Sequence, residues 1–299
     1  MRRATALRPG LALIAVIALS CACERAALAA EPSGERFPDA QPPLGLLPTP
    51  PDALMDPTMA RSWGTLPARS FAATTVDLGY LYARPRLSLG YGRPFTEWVG
   101  IDANPIATQD GVGMYAGVRL DIPHLDFRFG PRYFSAFQHT YLPRQRTYSR
   151  LDLEHNWGRK ARPLTLEAEL DLSVNLGPGL LLLRGSGSYV SGVPDGSDAF
   201  EETLHVIVEP PFVWRARVAY LFTFGSHHQH SLGPAVDFLE VPKRDDSLTV
   251  RVGPLLRLAL SRRVDVRGSF VVSVVSPDRI GLPGGDFTEL GVRYRWASE

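Results

Sequence analysis

The stretch from Leu164 to Leu176 reads Leu-Thr-Leu-Glu-Ala-Glu-Leu-Asp-Leu-Ser-Val-Asn-Leu. Apolar residues alternate with polar or acidic residues along its whole length, which is the period of a β-strand with two chemically different faces. A strand in a soluble sandwich usually has about five or six residues, whereas crossing a bilayer at a tilt takes roughly 9–11. The stretch therefore predicts a membrane-spanning strand.

The same alternation returns at 248–260, where leucine, valine and proline occupy one face and Thr249, Arg251 and Arg257 occupy the other. From Thr74 onward the chain continues in alternating segments separated by turn residues, without a convincing amphipathic helix. The clearest of these further segments are 112–122, 125–129, 151–153, 212–222, 264–266 and 290–296. Repetition of this pattern predicts an all-β fold, a single closed antiparallel transmembrane β-barrel.

The number of strands follows from an even-number rule for single-chain bacterial barrels. We treat 203–224 as one long bulged strand despite Pro210-Pro211, because that reading gives about twelve strands, with roughly ten to fourteen compatible with the pattern. With twelve strands, Gly177-Pro178-Gly179 and 261–263 are predicted to be short periplasmic turns. The same count makes 192–200 and 276–286 longer external loops.

Three segments are expected along the chain. Residues 1–30 combine early arginines, a short apolar run and an alanine-rich end, which predicts a cleaved signal peptide. Both cysteines, Cys21 and Cys23, fall inside it, so the mature chain has no thiol for disulfides, zinc or nucleophilic catalysis; a lipoprotein acylated at one of them is the alternative. Residues 31–73 predict a proline-rich periplasmic arm, either a disordered leader or a plug, and 74–299 the barrel.

Composition excludes some functions. The 32 basic and 31 acidic residues nearly cancel, which leaves a net charge of +1 and no global field to attract nucleic acid. An apolar content of 44% is typical of a folded chain. Nothing in the sequence requires a cofactor.

The alternation also assigns side chains to faces. Leu166, Leu170, Val250 and Leu256 are expected to contact lipid. Charged side chains on the opposite face are expected to line the lumen and to pair with one another, because an unpaired charge in a narrow interior is costly. The predicted lumen-facing charges are Glu167, Glu169, Asp171, Arg215, Arg217, Arg251, Arg257, Arg293 and Arg295.

Candidate catalytic and metal sites are weak. Glu167, Glu169 and Asp171 could in principle act as an acid/base pair, but opposed ladders of acids and arginines explain them better, and we assign no catalytic residue. His227, His228 and His230 form the densest cluster of possible metal ligands, although adjacent histidines in a polar turn are more often a solvated loop. The motif Gly111-Val-Gly113 lacks the strand and helix of a dinucleotide site.

From 74 to 296 the chain resembles the outer-membrane β-barrel proteins of Gram-negative bacteria, on the strand period, the aromatic residues near strand ends and the terminal strand 287–296. Such proteins usually end on an aromatic residue that the insertion machinery reads, whereas here Ala297-Ser298-Glu299 follow Trp296. The resemblance implies an outer-membrane location, with outer-membrane lipids and the barrel insertion machinery as partners. It leaves the oligomeric state open.

Two classes of function remain. The first is a non-enzymatic barrel with a charged lumen, acting as a narrow passive channel or as a structural barrel. The second is an outer-membrane lipid-modifying hydrolase, which would need a serine within hydrogen-bond reach of a histidine.

Overall fold

The computed structural model describes residues 67–79, 82–108, 110–154, 158–225, 230–261, 263–280 and 289–298. The signal peptide expected at 1–30 and most of the proline-rich arm therefore lie outside the described residues. A short helix, α1, spans Arg150–Glu154. The strands are β1 (Arg69–Gly79), β2 (Tyr82–Arg93), β3 (Glu97–Thr108), β4 (Gly111–Ile122), β5 (Leu125–Ala136), β6 (Leu142–Pro143), β7 (Leu164–Leu176), β8 (Gly179–Ser191), β9 (Ser197–Glu201), β10 (Val206–Val208), β11 (Phe212–Phe224), β12 (His230–Glu240), β13 (Thr249–Ala259), β14 (Val264–Ser269), β15 (Val272–Val275) and β16 (Glu289–Ala297).

Twelve antiparallel strands close into a barrel, which confirms the predicted fold class. The ring runs β1, β2, β3, β4, β5, β7, β8, β11, β12, β13, β14 and β16, and β16 pairs with β1 to complete it. Strand β15 extends β14 along the same neighbour, β13, after an interruption at Phe270 and Val271. The first strand begins at Arg69, ahead of the boundary expected at Thr74.

The two ends of the barrel differ because the chain runs up and down around the ring. One end, the turn end, carries the short connections 94–96, 123–124, 177–178 and 260–263. The other end, the loop end, carries the long connections 137–163, 192–211, 241–248 and 276–288. The turns expected at 177–179 and 261–263 thus fall at one end, and the loops expected at 192–200 and 276–286 begin at the opposite end.

The segment 151–153, predicted to be a strand, belongs to the helix α1 instead. Ser149 and Asp152 form one half of a capping box at its start: the backbone N–H of Ser149 donates to the Asp152 carboxylate at 2.6 Å, and the Ser149 hydroxyl donates to the same carboxylate at 2.7 Å. Two leucines two residues apart are too short a run to establish a strand period. The Ser-x-x-Asp spacing was the better local signal.

The segment 203–224 is not one bulged strand. It contains β10, which pairs only with β9 in a small separate sheet, and β11, which is a barrel strand beginning at Phe212. Pro210 and Pro211 separate the two because neither has an N–H to continue a ladder. The count of twelve is right, with α1 and β10 both outside the ring.

The barrel strands expose apolar side chains and bury charged ones. Leu166 is 42% exposed on β7, while Asp171, on the other face of that strand, is 7% exposed. Exposed aromatic side chains lie near the strand ends, such as Tyr189 at the loop end and Trp296 at the turn end. This arrangement matches the apolar belt and aromatic girdles of a membrane barrel. Among the described residues, no helix is long and apolar enough to cross a membrane.

Replacing Leu170 with arginine is expected to destabilise the barrel in a bilayer by about 2–4 kcal/mol, because the new charge would lie near the middle of the apolar belt. Leu176, at the turn end of the same strand and 54% exposed, is the matched control. Arginine there should cost only about 0–1 kcal/mol. Urea titrations of both variants in lipid vesicles measure the difference, and equal losses would contradict the depth assigned to β7.

Candidate functional site

A small sheet closes over the loop end of the barrel. Its order is β10, β9, β6, with Leu142 opposite Asp198 and Val206 opposite Glu201. We call this sheet, with the connections 137–163 and 192–211 that carry it, the lid. Strands β9 and β10 form the lid hairpin, which spans 197–208.

The lid hairpin packs inside the barrel mouth. Val206 and Val208 form one buried cluster with Val190, Val213 and Leu239, which project inward from β8, β11 and β12. A second cluster joins the lid to the inner face of β5, and its members are Phe134, Ala136, Tyr141, Ala161 and Ala199. Since these wall residues lie at the loop end of their strands, the hairpin occupies the lumen there.

Two arginines of the barrel wall hold the lid hairpin. Arg132 of β5 donates to the Glu201 carboxylate at 2.9 Å. Arg251 of β13 donates to the backbone carbonyls of Leu204 at 2.8 Å and His205 at 3.0 Å. Arg251 is 1% exposed, so the side chain predicted to line the lumen anchors the lid.

Buried polar contacts join the lid to neighbouring loops. The Tyr148 hydroxyl donates to Asp198 at 2.6 Å, and Arg244 donates to Asp278 at 2.6 Å. His139 lies 2.5 Å from Glu202. Burial raises the pKa of Glu202. Burial by itself would lower the pKa of His139, but the hydrogen bond to Glu202 outweighs this effect, and the pKa of His139 is raised. Both groups therefore hold a proton more readily than they would in water.

A cavity of about 320 Å³ lies inside the barrel, bounded towards the loop end by Thr203 and Leu204 of the lid. Its lining contains four carboxylates and ten arginines. The carboxylates are Asp77, Glu167, Glu169 and Asp171. The arginines are Arg84, Arg86, Arg128, Arg132, Arg184, Arg215, Arg217, Arg257, Arg267 and Arg293.

The three acids of β7 all line this cavity and are paired with arginines. Arg132 donates to Glu167 at 2.9 Å, and Arg128 donates to Glu169. Arg184 binds Asp171 through two nitrogens at 2.6 and 2.7 Å. Opposed ladders of acids and bases thus occupy this wall, which is how a low-dielectric interior can hold several charges.

On β11 and β12, two arginines share one acid. Arg215 donates to the Asp237 carboxylate at 2.7 Å, and Arg217 donates to the same carboxylate, also at 2.7 Å. Asp237 is 0% exposed and lies opposite Arg251 in the ladder between β12 and β13. This wall therefore carries more positive than negative charge.

The wall formed by β13, β14, β16 and β1 is also rich in arginine. Arg293 of β16 donates to the Asp77 carboxylate of β1 at 2.6 Å, across the strand pair that closes the ring. Asp265 accepts from Arg295 at 2.7 Å and from Arg267 at 2.8 Å. The Arg257 Nε lies 3.4 Å from that carboxylate.

The predicted list of lumen-facing charges left out several charged side chains that the structure brings to the interior. The largest group surrounds Arg119 of β4, which donates to Asp126 at 2.9 Å and lies within 3.5 Å of Asp102 and Asp121. Arg84 and Arg86 on β2 and Asp77 on β1 were also missed. The available signal was the two-residue spacing of Thr75-x-Asp77 and Arg84-x-Arg86-x-Ser88, with apolar Val76, Pro85 and Leu87 at the intervening positions.

The histidine cluster is only partly visible. His227 and His228 lie outside the described residues, and His230 begins β12 with its ring 5.3 Å from that of Phe224. Within the described ranges, no group of three or more His, Cys, Asp or Glu side chains could hold a metal ion.

No protein-family model matches the sequence, and no curated protein sequence matches it. Two solved structures are similar. The NanC porin is 9% identical, with 76% of this chain and 97% of the porin covered and a TM-score of 0.35. CdiB from Acinetobacter baumannii is 13% identical, with 78% of this chain and 45% of CdiB covered and a TM-score of 0.31.

Proposed function

We propose that this protein is an outer-membrane β-barrel whose lumen is a narrow passive channel with a preference for small anions. The closed ring, the exposed apolar belt and the aromatic side chains near the strand ends support a membrane location. The expected signal peptide supports export. The observation that carries the preference is the excess of arginine: ten arginines line the cavity, against four lining carboxylates and the three further acids that contact these arginines, Glu201, Asp237 and Asp265.

The charge excess acts at short range. Rings and ladders of charged side chains set ion selectivity, and arginine excess raises the local concentration of anions in a water-filled pore. Arg128, Arg132 and Arg184 are neutralised by the acids of β7, so the excess comes from the remaining walls. The lid narrows the path at the loop end, which favours small solutes.

The test is single-channel recording of the full-length protein in planar bilayers under a KCl gradient. We expect small, steady conductance steps and a reversal potential on the side of chloride selectivity. Replacing Glu167, Glu169 and Asp171 together by their amides should shift the reversal potential further towards anions, because the arginines lose their counter-charges. Arg86→Gln, which removes one cavity arginine, should shift it the other way.

Other results would assign another function. Silence in bilayers by folded protein would leave a structural barrel. Cation selectivity would overturn the anion preference. Hydrolysis of phospholipid or lipid A by the pure protein would replace the channel with the enzyme alternative.

A further inference from the structure

Two arginines face each other directly across the ladder between β13 and β14. Arg257 is the register partner of Arg267, and both line the cavity. Like charges directly opposite on one face of an antiparallel pair are destabilising unless a counter-charge lies between them. The nearest acid of these two strands, Asp265, has to supply that counter-charge.

Asp265 cannot satisfy all its arginines. Arg267 and Arg295 bind its two oxygens, and Arg257 reaches it only at 3.4 Å through Nε. The Nε and Nη2 atoms of Arg257 are buried without a hydrogen-bond partner, and the whole residue is 2% exposed. Buried donors are almost always paired in folded proteins, so two donors without a hydrogen bond on a cavity-lining arginine require an explanation.

The next arginine along the wall does not relieve the shortage. Arg293 lies opposite Asp265 in the ladder between β14 and β16, but it is engaged by Asp77 through two nitrogens. Among the described residues of this wall, four arginines (Arg257, Arg267, Arg293 and Arg295) contact the two carboxylates Asp77 and Asp265. An oxyanion entering the cavity would supply what is missing, because a guanidinium presents a fork of donors that matches a carboxylate or phosphate.

An apolar surface adjoins these arginines. Leu255 precedes Arg257 by two residues on the inner face of β13, and it packs against the cluster that contains Val271 and Leu221. Leu255, Leu221 and Leu182 line the same cavity as the arginines. A ligand with its charge on the arginines would thus lay a short carbon chain against leucine.

We propose that Arg257 and Arg267 form a binding site for a small organic acid, with the carboxylate on the guanidinium groups and an apolar chain against Leu255. The proposal rests on the channel function above and names the class of solute that the channel would select. It predicts that the orphaned donors of Arg257 become paired when the acid binds.

The experiment is equilibrium binding to the purified full-length protein in detergent, by calorimetry at low salt. The probes are hexanoate, acetate and inorganic phosphate. We expect saturable binding of one hexanoate, about tenfold tighter than acetate, which corresponds to burial of about two of its methylene groups. Arg257→Gln should weaken hexanoate binding by about tenfold or more through loss of charge-assisted bonds, with partial rescue in Arg257→Lys. Leu255→Ala should weaken hexanoate but not acetate.

Arg217→Gln is the matched control, because it removes another cavity arginine while Asp237 keeps Arg215 as a partner. It should change the affinity far less than Arg257→Gln. Equal losses of hexanoate affinity in the two variants would show that binding depends only on the overall positive charge of the cavity, and would overturn the site.

Phosphate binding more tightly than hexanoate would overturn the assignment of the ligand as an organic acid. Conductance without saturable binding would reject the site and leave the channel, whereas binding without conductance would reject the channel and leave the site. Heat-modifiable migration on gels verifies that each variant is folded.

Discussion

Replacing Asp237 with asparagine is expected to destabilise the barrel by about 3–5 kcal/mol, the range for removing one partner from a buried ion pair. Asp237 is 0% exposed and accepts hydrogen bonds from Arg215 and Arg217. Its loss would remove the carboxylate that both guanidinium groups contact. An amide cannot replace it, because it is neutral and carries its own donors.

The measurement is urea unfolding of the refolded protein in lipid vesicles. Asp195→Asn removes the same charge from an exposed loop position and serves as the control, with a change within about 0.5 kcal/mol. If Asp237→Asn lowers the free energy of unfolding by no more than that control, water reaches Arg215 and Arg217 freely. The wall is then hydrated rather than held by direct ion pairs.

The second large effect concerns conductance. Replacing the lid hairpin, 197–208, by a short glycine-serine linker is expected to raise the single-channel conductance several-fold. The hairpin occupies the barrel mouth, where Val206, Ile207 and Val208 are buried, so its removal would take away side chains that fill the mouth. The barrel strands on either side, β8 and β11, pair with each other without it, from Gly179 opposite Phe222 to Tyr189 opposite Phe212.

A milder variant tests the same point if the deletion fails to fold. Arg132→Gln with Arg251→Gln removes the wall anchors of the hairpin and should give noisy, flickering openings rather than one steady level. Changing the exposed pair Arg150 and Glu154 at the same end is the control and should leave the conductance unchanged. Unaltered conductance after the deletion would mean that ions do not pass the lid.

Prediction from sequence worked best where the signal is local. The stretch Leu164 to Leu176 is β7 with those same ends, and 248–260 contains β13. Both could be identified because alternation with a period of two describes the faces of a strand whatever its neighbours are. The same rule failed at 151–153, where two leucines satisfy it by chance and the capping box at Ser149 decides the local structure.

The lid could not be predicted in the same way. Its strands β6 and β10 have two and three residues, too few to show a period, and they are stabilised by contacts with β9 and with the inner wall. The contacts of Arg251 with the lid could therefore not be predicted either. Its position on β13 indicates an inward side chain, but its partners are backbone carbonyls that lie 46 and 47 residues away in sequence.

By itself, the sequence determined the barrel architecture and the two faces of its clearest strands, because strand period and length are properties of a short segment of chain. Only the tertiary structure decided which charges pair, which of them remain without a partner and what fills the barrel mouth. Asp237 meets Arg217 and Arg257 meets Arg267 only after the register of neighbouring strands is set. Closure of the ring also brings together residues as far apart as Asp77 and Arg293.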